Sequence, residues 1–144
     1  MKKIILFAVL GCLLSVTSCK EGVDEDVFYA IRAVFDKNGG HAELTSYNDD
    51  NKETPLPNGV WLTDIAEVNG MAVDGNFFDK KVKSKKYDNL YTELSNKWIS
   101  VQSFEEDDNR VIVDIAPTDV ARTVRIELSV RNMLCFLFVS QSAD

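Results

Sequence analysis

The side chains that could do chemistry in this chain are few. His41 is the one histidine, and it stands beside the turn signal Asn38-Gly39-Gly40. A Ser-His-Asp triad needs a histidine held between a nucleophile and an orienting carboxylate, and nothing in the sequence frames His41 that way. No GxSxG, HExxH, phosphate-loop or paired-cysteine pattern occurs. The chain carries 23 acidic residues, and glycoside hydrolysis asks only for two carboxylates in the right geometry. Without any other catalytic signature, the expectation is a protein that is not an enzyme. Asp49-Asp50, Asp74-Gly75-Asn76 and Glu105 to Asn109 are oxygen-rich, but calcium needs about six to eight oxygens converging on one point. None of the three has EF-hand spacing, so they read as solvated turns, with no metal and no cofactor expected. The aromatics offer more. Tryptophan and tyrosine present an apolar face with a polar tip, the kind of platform on which a sugar ring stacks. Trp61, Tyr87 and Tyr91 are therefore the candidate ligand-binding residues.

Cys19 is the remaining chemical handle. Lys2 and Lys3 precede an uncharged apolar run, Ile4 to Val16, which is followed by Val16-Thr17-Ser18-Cys19. Basic, apolar and small-residue regions in that order make a signal peptide. The run is shorter than the roughly 20 residues that cross a bilayer. A cysteine directly after Val-Thr-Ser resembles the lipobox of bacterial lipoproteins, in which that cysteine is acylated and becomes the new N-terminus. Residues 1–18 are then a lipoprotein signal peptide and residues 19–26 a lipidated acidic tether. The folded part is 27–144. Cleavage removes Lys2 and Lys3, which leaves 14 basic residues against 23 acidic, a net of −9. That balance argues against nucleic acid and against electrostatic attraction to anionic lipid. Attachment to a membrane must then come through acyl chains at Cys19. Acidic residues close behind the cysteine resemble the signal that sends some Bacteroidetes lipoproteins to the outer face of the outer membrane, so the expected location is the cell surface. With Cys12 removed and Cys19 acylated, Cys135 is left alone. No intrachain disulfide is possible, and Cys135 reads as a small core hydrophobe. A monomer is expected.

The elements that must position these residues read as strands. Val27 to Phe35 fits helical spacing and also a period of two; its β-branched and aromatic content favours a strand. It is expected to form a hairpin with His41 to Tyr47 across Asp36 to Gly40. Asn48 to Gly59 reads as loop and Val60 to Ile65 as a strand. Asn69-Gly70 and Asp74-Gly75 read as hairpin turns. Trp98 to Val101 and Val111 to Ile115 are further strands. In Arg122 to Val130 one face, Val124, Ile126, Leu128 and Val130, is apolar, and the other, Thr123, Arg125, Glu127 and Ser129, is polar. That is the pattern of a half-buried antiparallel strand. Arg131-Asn132 turns the chain back, and Met133 to Val139 is apolar on both faces. Short strands separated by turns at intervals of about 8 to 12 residues point to an all-β sandwich.

Three segments together resemble the BACON family, Bacteroidetes-associated domains with an immunoglobulin-like fold. They are Phe35-x-x-x-Gly39-Gly40 with the strand Ala42 to Thr45, Trp98-Ile99-Ser100-Val101, and Arg122-x-Val124-x-Ile126 leading to Leu137-x-Val139-x-Gln141. The family usually has an asparagine a few residues before the arginine, where Ala116-Pro117 stand here. The stretch from Trp61 to Trp98 is longer than in a minimal member. The resemblance implies an immunoglobulin-like antiparallel β-sandwich with an insertion between its two halves, and Trp98 in its core. It also implies a non-catalytic surface module whose partner is a polysaccharide or mucin glycan; the alternative is a spacer or protein-interaction module of a surface assembly. The family's strand parity turns Met133, Cys135, Leu137, Val139 and Gln141 inward. Leu134, Phe136 and Phe138 then face out, and so apolar a face calls for a cover. The expected cover is the insertion, Ala66 to Asn96, through Phe77 and Phe78; the alternative is a partner or ligand surface.

Overall fold

The computed structural model describes residues 29–49, 52–105, 108–130 and 133–144. The leader, Cys12, Cys19, the acidic tether and the Arg131-Asn132 turn lie outside them. Among the described residues twelve strands follow one another: β1 Tyr29–Phe35, β2 Gly40–Leu44, β3 Ser46–Asp49, β4 Lys52–Pro55, β5 Val60–Val68 and β6 Met71–Val73, then β7 Lys80–Lys83, β8 Tyr91–Ser95, β9 Ile99–Ser103, β10 Val111–Ile115, β11 Arg122–Val130 and β12 Met133–Gln141. A 3-10 turn, Gly75–Phe77, sits between β6 and β7. No helix among the described residues is long and apolar enough to cross a membrane.

The strands join into one sheet in the order β2-β10-β9-β8-β5-β11-β12-β1-β3-β4, with β6 added to β5 and β7 to β8. The sheet is mixed. β1 runs parallel to β12 from Tyr29↔Cys135 to Phe35↔Gln141, which corrects the antiparallel expectation. β1 is a strand, as its composition suggests, but it does not form a hairpin with β2. Its edges are taken by β12 and β3, while β2 crosses to β10. The turn between them is tight for a steric reason. Gly39 has φ +74, and a Cβ there would meet Ile115 O at 2.2 Å. The expected loop from Asn48 to Gly59 instead begins with a second hairpin, β3–β4, registered Ser46↔Pro55 to Asp49↔Lys52.

Asn69-Gly70 is the hairpin turn its residues suggest: φ is 52° and 82°, the left-handed pair of a type I′ turn, joining β5 to β6. Asp74-Gly75 is not a hairpin. Asp74 caps the 3-10 turn by accepting the backbone N–H of Asn76 at 2.9 Å. The presumed insertion is not laid across the sheet as a flap. It supplies β6, β7 and β8, and β8 lies inside the sheet between β5 and β9.

Alternation does the rest. β11 and β12 pair in register from Arg122↔Gln141 to Val130↔Met133. Every second residue of each enters one core cluster: Val124, Ile126, Leu128 and Val130 from β11, and Cys135, Leu137 and Val139 from β12. The same cluster holds Ile31, Ala33 and Phe35 of β1, Leu94 of β8, Ile99 and Val101 of β9, and Val111, Val113 and Ile115 of β10. The sheet therefore curls so that one face is interior. Cys135 is buried, and burial pushes its thiol up to about 12.

Candidate functional site

Three segments that are distant in sequence meet at one end of the sheet. Gln141, only 3 % exposed, accepts a hydrogen bond from Arg122 Nε at 2.8 Å. Its own amide donates to Asp36 O at 3.1 Å and Ala116 O at 2.9 Å. Arg122 donates to Ala116 O at 3.0 Å and lies 4.0 Å over the ring of Trp98, which also meets Phe77 edge-on at 5.7 Å. Arginine, glutamine and tryptophan form a latch that ties β11 and β12 to the β1–β2 turn. Burial lowers the Arg122 pKa from its ordinary value. Trp98 is half-buried and packed against the core.

The sequence-predicted aromatics lie near one another. Trp61 pairs with Ser129 and so points to the outer face, yet it is 4 % exposed. Tyr87 covers it, the rings edge to face at 5.0 Å. Glu105 holds that cover in place. It accepts from Ser84 Oγ at 2.9 Å, from Trp61 Nε1 at 3.4 Å and from the Lys85 N–H at 3.4 Å. Ser84 Oγ in turn accepts from the Lys86 N–H at 3.0 Å and the Tyr87 N–H at 3.2 Å. Burial works to raise the Glu105 pKa, but these hydrogen bonds outweigh it and hold the carboxyl below the usual range. Tyr91 is half-buried opposite Leu62, with the Lys81 ammonium 5.6 Å above its ring. Of the three candidates, Tyr87 has the most open surface, at 39 %. The segment after β7 does cover part of the outer face, but the part it covers is Trp61 on β5.

Leu134, Phe136 and Phe138 do face outward, with Cys135, Leu137 and Val139 buried between them. Phe77 and Phe78 are not their cover: these pack on each other at 5.0 Å and toward Trp98. The rings are shielded by neighbouring cations. Arg32 lies 4.8 Å over Phe138, and Arg125 lies 4.6 Å over Phe136. Strand register puts these groups in one line. Arg32 of β1 is opposite Phe138 of β12, Phe138 is opposite Arg125 of β11, and Arg125 is opposite Glu67 of β5. The line ends in an ion pair, Arg125 to Glu67 at 2.7 Å. The row beside it is Val34, Ser140 and Thr123, with the Thr123 N–H donating to Asn69 Oδ1 at 2.9 Å.

Between these rows lies a hollow of about 360 Å³, at the small end of the ~300–1,000 Å³ typical of ligand sites. A second hollow of about 500 Å³ shares Val34, Thr123 and Ser140 with it and runs on to Asn69, Arg122 and Gln141. The two make one trough across the outer face of β1, β12 and β11. Its first hollow offers an aromatic ring, two guanidiniums, a carboxylate and two hydroxyls. Sequence reasoning found the outward phenylalanines and the polar face of β11, but Arg32 and Glu67 become neighbours only through pairings to β12 and β11.

His41 is exposed on β2, its Nδ1 2.7 Å from Asp114 and its Nε2 3.4 Å from Glu43. No three His, Cys, Asp or Glu among the described residues gather as metal ligands.

No protein-family model matches the chain, and no curated protein matches it. Among solved structures, the NMR structure of a protein from Bacteroides thetaiotaomicron superposes with a TM-score of 0.50 at 16 % identity, over 78 % of this chain and 76 % of that one. The likeness is one of all-β fold.

Proposed function

We propose that this chain is a non-catalytic surface module that binds carbohydrate in the trough between β1 and β11. The observation that carries this is the row Arg32, Phe138, Arg125 and Glu67. A guanidinium stacked on a ring, beside an arginine and a carboxylate held together, presents donors and an acceptor along an apolar seam, which suits a pyranose with its apolar face and equatorial rim of hydroxyls. The experiment is a glycan array probed with the full-length protein and with Phe138→Ala. Binding to a plant or host polysaccharide that Phe138→Ala abolishes supports the reading; an empty array refutes it.

We further infer a BACON-type immunoglobulin-like sandwich, because the three motif segments of that resemblance converge on the Gln141 latch. On this reading the protein is carried on the outer membrane by acylation at Cys19. Replacing Cys19 with Ser and fractionating cells tests the anchor: the variant leaves the membrane fraction. A docked surface protein is the second reading. It is favoured by Val34, which is 81 % exposed on the trough wall, and a partner captured through Val34 rather than a glycan would select it.

A further inference from the structure

We infer that the trough selects a carboxylated sugar, such as a uronic or sialic acid residue, with Arg32 as the group that recognises the acid. This rests on the carbohydrate reading and narrows it. The two guanidiniums of the first hollow, Arg32 and Arg125, differ in what they have left to give. Arg125 is committed to Glu67 at 2.7 Å. Arg32 has, among the described residues, only the ring of Phe138, 4.8 Å from its carbon. Glu43 and Glu53 border a neighbouring hollow with Arg32, but both are engaged elsewhere. Glu43 takes Arg110 at 2.9 Å and His41 at 3.4 Å, and Glu53 accepts from Ser46 Oγ at 2.8 Å.

Arg32 therefore holds a fork of N–H donors, oriented by a ring, at the edge of a hollow of small-ligand size. A planar fork matches a carboxylate in two parallel hydrogen bonds. In a chain of net charge −7 an uncommitted cation beside an aromatic is also a filter, because the surrounding acidic surface repels polyanions that do not seat on it. Within the hollow, Glu67, Thr123 and Ser140 offer polar atoms to a hydroxyl rim, and the exposed Val34 offers apolar surface. The continuation past Asn69 toward Arg122 gives room for the next residue of an oligosaccharide. Its wall there includes Arg122, whose guanidinium is held by Gln141 and Ala116 and stacked on Trp98, so the acid is read at Arg32.

The test pairs each acid with its uncharged twin. The full-length protein is titrated calorimetrically in detergent with trigalacturonate, 3′-sialyllactose and a hyaluronan tetrasaccharide, each beside its methyl ester. The expected result is at least one acid bound about tenfold or more tighter than its ester, a difference that shrinks as salt rises. Arg32→Gln brings that ratio to within about twofold, and Arg32→Lys restores part of it. Lys83→Gln, which removes a cation on β7 away from the trough, leaves the ratio as it was. If acids and esters bind equally and Phe138→Ala abolishes both, the acid inference is overturned while the carbohydrate reading stands. If no member of any pair binds and the array is empty, both fall.

Discussion

Replacing Gln141 with Leu is expected to be among the most damaging single changes outside the aliphatic core. The side chain is 3 % exposed and takes part in three hydrogen bonds, to Arg122, Asp36 and Ala116. Leucine fills nearly the same volume, so the cost is that of polarity and not of a cavity. Each net hydrogen bond is worth about 0.5–1.5 kcal/mol, and stranding an acceptor or a guanidinium sits at the upper end of that range. Against this, a buried leucine returns about 1–2 kcal/mol of transfer free energy. The expected loss is about 2–3 kcal/mol, or a fall in Tm of roughly 6–10 °C at this chain length. Urea titration followed by tryptophan fluorescence reads it directly, because Trp98 lies under Arg122. The same measurement on Arg122→Met and on the double variant gives the coupling, expected at about 1–2 kcal/mol. A loss below about 0.5 kcal/mol, or additive single effects, would show that the latch is an ornament on the β11–β12 ladder and that the argument from its hydrogen bonds is wrong.

The Cys135 thiol, buried and raised to about 12, is expected to resist alkylation at pH 8 in the folded protein and to react within minutes in denaturant, as read by peptide mass mapping. Gly39→Ala is expected to cost about 2 kcal/mol or more in the same urea assay, since φ is +74 and Ile115 O blocks the new Cβ. His41 is raised above its ordinary 6.5 by its hydrogen bonds to Asp114 and then Glu43, and an NMR titration of the ring should place its midpoint above that value. The fold favours the protonated form, so this small contribution is complete below pH 6.5 and fades as pH rises through the shifted midpoint. Asp114→Asn should bring the midpoint down.

Where a structural cause was local, the sequence displayed it. The strict alternation of Arg122 to Val130 marks β11, its inward residues and its polar face, and Asn69-Gly70 marks a type I′ turn. Cys135 follows from parity alone. Where the cause was a pairing between distant strands, local reading failed. The Asp36 to Gly40 turn invites a hairpin, but the hydrogen-bonding edge of β1 is better matched by β12, a partner more than 100 residues away. Asn48 to Gly59 is rich in loop formers, yet Ser46 to Pro55 still closes a hairpin. The trough suffered most, because its four functional groups come from four strands. Only the register of three successive pairings brings Arg32, Phe138, Arg125 and Glu67 into line. The burial of Trp61 has a related cause: the strand turns it outward, and the Glu105-held turn that covers it is contributed from 20 or more residues downstream.

The parallel union of β1 and β12 also decides how this protein bears a mechanical load. Tyr29 and Gln141 lie at opposite ends of a ladder of seven paired positions, roughly 20 Å apart along the strands. Tension between whatever precedes Tyr29 and a grip on the C-terminal side pulls the two strands past each other lengthwise. The inter-strand hydrogen bonds are then strained together, in shear. A hairpin pulled from its open end would instead yield them one after another. A module tethered on one side and gripped on the other would resist drag through this one seam, and rupture under force would begin at β1.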